Sequence, residues 1–305
     1  MEKSELLRNI INLPIISSGL AEEMLSGSFR SVFKGQGMEF DEARHYQSGD
    51  DIRTIDWNAS ARFGYPFVKM YREERELTIL LLIDISPSMH RGNITKADVL
   101  SPFEQALICA SLIAFSAEHG GQQVGSFFFD KDVEKAFAPS RGRKHIMSMI
   151  MAGLQFQDNQ ADKTQNGSNI ASALKAAQRL LKKRALVVVI SDFFSINWEH
   201  EMATLCRKHD CIALRICGAK EIPYHGLITM EDPETGIKME TPAGLNSFKQ
   251  NWEQWHNERT INWEAQCRKS GASLLDITTE TNAPTALMKF FSGRGFNKHS
   301  QSKSR

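Results

Sequence analysis

The distribution of apolar and polar positions changes character at Leu77. Before it, apolar residues are scattered among charges; after it, they come in blocks. Residues 77–84 read Leu-Thr-Ile-Leu-Leu-Leu-Ile-Asp, an apolar run without alternation that closes on an acid. Such a run predicts a strand buried on both faces, as in a parallel sheet. A second run of this kind, 185–190, ends at Ser191-Asp192. Shorter strand patterns lie at 124–129, 133–137, 212–217 and 273–277. Helical periodicity fills 102–119, 144–154, 170–183, 198–209, 245–269 and 284–291, and Gly120-Gly121 stops the first of these. Strands that alternate with helices of about ten residues or more predict βαβ units. The expected fold class is α/β, a doubly wound, mostly parallel sheet flanked by helices, Rossmann-like in its winding. Asp232-Pro-Glu-Thr-Gly236 between short apolar runs predicts a hairpin insertion near 226–243.

The remaining segments divide the chain. Residues 1–76 form a smaller N-terminal α+β region, with helical candidates at 4–12 and 20–25, Gly35-Gln-Gly37, a polar stretch at 39–62 and a short strand at 66–71. Residues 77–294 form the main domain. Residues 295–305, with Lys298, His299, Lys303 and Arg305, form a basic tail expected to be disordered and solvated.

Composition narrows the function class. The 305 residues are 41% hydrophobic and 24% charged, which suits a chain with a buried core. Lys and Arg total 37 against 36 acids, a net charge of +1, so neither nucleic acid nor a membrane surface is an expected partner. No run approaches the roughly 18 apolar residues of a membrane span. Glu2, Glu5 and Arg8 interrupt the N-terminus, so no signal peptide is read there. Five cysteines without C-x-x-C spacing read as buried, reduced thiols of a cytoplasmic protein. Cys211 and Cys217, six apart, share one strand face.

Candidate chemistry sits where strands end, because open parallel sheets bind ligands at their carboxyl edge. The first apolar strand ends in Asp84-Ile-Ser86-Pro-Ser88, the second in Ser191-Asp192, and Asn166-Gly167-Ser168-Asn169 opens a helix between them. These are carboxylate and hydroxyl donors only. Magnesium takes about six oxygen ligands at about 2.1 Å and keeps water readily. Neutral hydroxyls leave such an ion electron-poor, so an open position attracts an anion. The partial positive charge of the helix N-terminus near Ser168 opposes the metal but favours an incoming carboxylate. The plainer alternative is that Asp84 and the serines cap the following loop and helix.

Asp84, Ser86, Ser88, Ser168 and Asp192 resemble the metal-ion-dependent adhesion site of von Willebrand factor A domains, with serine at Ser168 where threonine is usual. The resemblance implies a von Willebrand A-like domain, Mg2+ (or Mn2+) held by these five residues, and a carboxylate from a partner protein completing the shell. A denser signature precedes it: Gly37-Met-Glu39-Phe40, Arg44-x-Tyr46, Gly49-Asp50-Asp51-x-Arg53-x-Ile55-Asp56-Trp57 and Ser60-Ala61-Arg62. This block is similar to that of the bacterial domain-of-unknown-function 58 family, and the resemblance covers about residues 30 to 295. It implies partnership with a MoxR-type AAA+ ATPase in a chaperone-like assembly or activation of other complexes. Arg44, Arg53 and Arg62 with Asp50, Asp51 and Asp56 are expected to form an ion-pair network.

Other signals have two readings each. Phe248, Trp252, Trp255, Arg259 and Trp263 fall near one face of a long helix, for core packing or for docking a partner. Met147, Met149 and Met151 read as helix core with one or two exposed members. His90 lies just past the metal loop, at its rim or simply exposed. There is no G-x-x-x-x-G-K-S/T loop, no H-E-x-x-H and no G-x-S-x-G elbow. The competing function is a magnesium-dependent phosphoester hydrolase of the haloacid-dehalogenase type. That class needs a carboxylate two residues after the first Asp, where Ser86 stands.

Overall fold

The computed structural model describes residues 19, 38–47, 50–73, 77–90, 100–158, 167–218, 227–231, 238–242 and 245–301. The expected helices at 4–12 and 20–25 lie outside them. Two compact units are present, the smaller being Arg30–Glu76 and the larger containing the chain from Leu77 onward.

In the smaller unit, β1 (Met38–His45) pairs antiparallel with β2 (Phe67–Glu73). A bulge between Phe40 and Glu42 breaks the two-residue alternation, which hides β1 inside a stretch that reads only as polar. A 3-10 turn, Ile52–Thr54, and helix α1 (Trp57–Phe63) connect the strands. Asp56 caps α1, accepting the N–H groups of Asn58 and Ala59 at 3.1 and 3.2 Å. Gly64 closes it in the left-handed region at φ 74°. The charged block thus does two local jobs, because Arg44 meanwhile grips Asp50 with both guanidinium nitrogens at 2.9 and 2.6 Å. Those bonds, with the N–H of Gln47, hold the Asp50 carboxyl below its ordinary range.

The larger unit runs β3 (Thr78–Asp84), α2 (Pro87–His90), α3 (Pro102–His119), β4 (Gln123–Phe129), β5 (Val133–Ser140), α4 (Arg143–Asp158) and α5 (Ile170–Leu180). It continues through β6 (Leu186–Ser191), α6 (Glu199–Cys206), β7 (Asp210–Cys217), β8 (Leu227–Glu231), β9 (Lys238–Pro242), α7 (Asn246–Ser270), β10 (Ser273–Thr278) and α8 (Ala283–Gln301). One six-stranded sheet has the order β10-β7-β6-β3-β4-β5. Every neighbouring pair is parallel except β4–β5. The doubly wound α/β architecture is therefore the observed one. β8 and β9 form the expected hairpin.

The two alternation-free runs take the centre, as their sequence requires. Ile79 to Ile83 of β3 are at most 2% exposed, and Leu186 to Ile190 of β6 are fully buried. Leu80 and Leu82 join Ile170 and Leu174 of α5 and Met202 of α6 in one core. Ile79, Leu81 and Ile83 alternate to the opposite face, where α3 packs. α3 is apolar nearly all round and correspondingly buried. Its start is a capping box of Ser101 and Glu104.

The last helix departs from expectation. It runs to Gln301, through the segment read as a tail from Gly295. No proline follows Pro284 to stop it. Each glycine costs about 1 kcal/mol in a helix, but a formed helix gains one hydrogen bond per added residue. Residues 302–305 lie outside the described set. All five cysteines are free thiols, and burial pushes Cys109 and Cys267 up to about 12. No described helix is long and apolar enough to cross a membrane.

Candidate metal centre

From β3 the chain crosses to β4 on one side, and from β6 to β7 on the other. The neighbouring ends of β3 and β6 therefore flank the switch point of the sheet, the crevice where such folds bind ligands. Asp84 is the last residue of β3, and Ser191 the last of β6. Ile83 pairs with Ile190, which sets these next two residues side by side.

Asp84 is fully buried in a cup of hydroxyls. Its Oδ1 accepts the Ser86 N–H at 2.8 Å. Its Oδ2 accepts the hydroxyls of Ser168 at 2.9 Å and Ser191 at 2.6 Å. The Ser86 and Ser88 hydroxyls lie 3.1 Å apart. This follows from the local sequence: Pro87 suits the first turn of a helix, and the chain bends there into α2, with Met89 donating to the Ser86 carbonyl at 3.0 Å. Ser168 arrives on a loop pinned by the Asn169 N–H on the Asp130 carbonyl at 2.7 Å. Asn169, one residue past Ser168, is the residue that caps α5, through the Ser172 N–H at 3.1 Å.

The electrostatics suit a cation. Burial raises the Asp84 pKa, and the hydrogen bonds from Ser191, Ser86 and Ser168 pull it part of the way back. Among the described residues no Lys, Arg or His pairs with it. An ion buried in protein pays several kcal/mol in lost hydration even after relaxation, and a charged hydrogen bond offsets about 1.5–3 kcal/mol of that. The donors are all oxygens, the ligand type of hard divalent ions rather than of soft nitrogen and sulfur sites. No group of three or more His, Cys, Asp or Glu assembles among the described residues. Any ion here would therefore rest largely on serine hydroxyls, with no more than two carboxylates. Asp84, Ser86, Ser88 and Ser168 fit that role, and Ser191 joins them.

Residues 42–270, which contain this centre, match the family model described as "Protein of unknown function DUF58". The chain belongs to the DUF58 family. An uncharacterized protein of Mycobacterium tuberculosis is 28% identical over 281 residues, 89% of this chain and 84% of the relative. The crystal structure of a conserved hypothetical protein BatB from Bacteroides thetaiotaomicron is similar at a TM-score of 0.44 and 16% identity, over 72% of this chain and 98% of that one. Proximal thread matrix protein 1 from the mussel byssus, a structure with a zinc-occupied MIDAS motif, is similar at a TM-score of 0.33 and 17% identity, over 46% of this chain and 38% of that one.

In this DUF58 chain Asp192 follows Ser191 at the same strand end and is 7% exposed. Its Oδ1 accepts the Phe194 N–H at 3.0 Å, so one carboxylate oxygen holds its own turn. Phe193 between them has φ 56°, a left-handed conformation that costs a bulky residue about 1–2 kcal/mol. Its surroundings enforce this. The N–H donates to Ser191 Oγ at 2.9 Å, the carbonyl accepts from Arg259 at 3.3 Å, and the ring packs against Trp198 and Trp263. Strain of this kind persists where neighbours over-determine it, commonly at functional sites. His90 stacks on Phe103 with ring centres 4.3 Å apart. The sequence pattern points to Asp192 and not to Ser191, whose role depends on the register of two strands about a hundred residues apart.

Proposed function

We propose that this DUF58 chain is a protein-interaction module that captures a carboxylate of its partner through a divalent ion held at Asp84. One observation carries the reading: a fully buried carboxylate with no cationic partner among the described residues, ringed by neutral hydroxyls, at the switch point of the sheet. Asp84, Ser86, Ser88 and Ser168 would hold the ion, and Asp192 would join from the end of β6. Neutral ligands leave the ion able to bind an outside oxygen. The hard oxygen set favours Mg2+ (or Mn2+).

In this reading the chain works in the cytoplasm with a MoxR-type AAA+ ATPase, on a client whose carboxylate completes the shell. The family resemblance supports that partnership. Ser86 weighs against the hydrolase alternative, since a hydroxyl bonded to Ser88 cannot serve as the carboxylic acid that phosphoryl transfer of that type needs. The test is affinity capture from native extract with the full chain, in magnesium and then in chelator. Asp84→Ala should lose the partners that wild type loses on chelation, with its circular dichroism unchanged. Capture that is equal for both chains in both buffers refutes the metal bridge. Magnesium-dependent turnover of an aryl phosphate that vanishes in Asp84→Ala would favour the hydrolase instead.

A further inference from the structure

Next to Asp192 a cleft of about 280 Å³ opens between the 192–199 segment and α7. Phe194, Arg215, Trp255, Arg259 and Trp263 line it. We infer that this cleft is a second anchor, which binds a carboxylate carried beside an aromatic side chain on the same partner segment that reaches the metal centre. The identity of that segment rests on the proposed function, whereas the binding chemistry of the cleft does not.

Two side chains in the lining keep N–H groups without acceptors among the described residues. Arg259 is half-buried, its guanidinium stacked on Phe194 at 3.8 Å and within 5.0 Å of the Trp255 ring. A guanidinium has five N–H groups, yet Arg259 spends one, at 3.3 Å, on the Phe193 carbonyl. No carboxylate lies at ion-pair distance from it among the described residues, although the charge of Asp192 is felt there. Trp263 is 5% exposed, and its buried indole N–H has no hydrogen-bond partner among the described residues.

Arg215 in the same lining shows the contrast. It grips Asp276 with two nitrogens at 3.0 and 2.6 Å and donates to Thr260 at 3.1 Å. Arg215 is a finished ion pair, whereas Arg259 and the Trp263 indole keep donors open. A buried donor left unpaired is destabilising, and an incoming carboxylate removes that cost.

The rim supplies the apolar part of the specificity. Phe194 and Trp255 are each 42% exposed, and Ile196 is 76% exposed. Aromatic residues and arginine at the mouth of a pocket are the usual anchors of protein recognition. Two acids, Asp192 and Glu199, also line the cleft and oppose an anion. Asp192 already commits one oxygen to the Phe194 N–H. The carboxylate is therefore expected on the Arg259 and Trp263 side, with its aromatic neighbour against Phe194 and Trp255.

The probes are the dipeptides acetyl-Phe-Asp-amide and its neutral isostere acetyl-Phe-Asn-amide. They are titrated into the full chain in chelator, reading the indole N–H signals by nuclear magnetic resonance. Single Trp→Phe variants assign the signals. The acidic peptide should shift the Trp263 signal saturably, with the neutral isostere at least about tenfold weaker. Arg259→Gln should weaken the acidic peptide by a similar factor. If Arg259→Gln loses signal dispersion, Trp255→Ala, at an exposed position, takes its place and should also weaken binding. No shift up to the solubility limit, equal binding of both peptides, or indifference to both variants overturns the proposal. Binding in chelator tests the cleft alone. Loss of magnesium-dependent partner capture with the cleft intact would count only against the metal bridge.

Discussion

Replacing Asp84 with Asn tests the metal centre with the least change in shape. In the metal-free protein burial raises the Asp84 pKa above its unfolded value. A group shifted in that direction contributes stability below its unfolded pKa, and that contribution is lost as pH rises through the folded pKa. At neutral pH the buried Asp84 carboxyl therefore costs the metal-free fold. Asn removes the charge and keeps the size. Its amide nitrogen lies near hydroxyls of Ser168 and Ser191 that can rotate from donor to acceptor. Metal-free Asp84→Asn should thus match or exceed wild type, to within about 1 kcal/mol. The ion reverses the ranking. At a concentration of about one hundred times its Kd it adds about 2.7 kcal/mol to the state that binds it. At about 2–4 °C per kcal/mol for a domain of this size, wild type should melt about 5–11 °C higher in magnesium than in chelator. Asp84→Asn should show a shift near zero. Thermal unfolding by circular dichroism with and without Mg2+ reads both chains. A variant that keeps the full magnesium shift, or a wild type that has none at millimolar ion, refutes the reasoning.

Three further outcomes follow from the same contacts. Because the Asp84 pKa is raised, protons should compete with the ion at a higher pH than for an ordinary aspartate near about 4. The magnesium-induced shift should fade on acidification from pH 7 before that value, and an undiminished shift at pH 4 contradicts this. Ser191→Ala removes a 2.6 Å hydrogen bond to a buried carboxylate and should cost about 1.5–3 kcal/mol in urea unfolding of the metal-free protein; a cost under about 0.5 kcal/mol would place Ser191 outside the centre. Gly125→Ala puts a Cβ 2.7 Å from the Phe137 carbonyl oxygen and 2.9 Å from the Pro139 nitrogen, both backbone. The β4–β5 pair must then shift, at about 1–3 kcal/mol by the same assay, and an unchanged midpoint would show that the bulge there yields freely.

The centre was unevenly legible. Asp84, Ser86 and Ser88 are close in sequence, and the physics of a strand turning into a proline-led helix brings them together locally. Ser168 joins them from another loop, held by a backbone bond to Asp130 that has no sequence signature. The helix pattern of Trp255, Arg259 and Trp263 admitted both core and docking uses. The structure gives each residue its own share, with Trp263 buried, Trp255 exposed and Arg259 stacked between apolar rings and solvent. Met149 is likewise core and Met151 exposed.

The sequence by itself determined the central strands, their parallel pairing and the oxygen chemistry at their ends. Those depend on local hydrophobic patterning, and an alternation-free apolar run has no stable place except between two covered faces. The tertiary structure alone decided the rest. Strand register set Ser191 beside Asp84, the winding of the sheet put both at its switch point, and the strained turn at Phe193 set Arg259 and Trp263 facing a common cleft. These are relations between residues far apart in the chain. Their free energy exists only once the sheet has closed, so no local pattern records them.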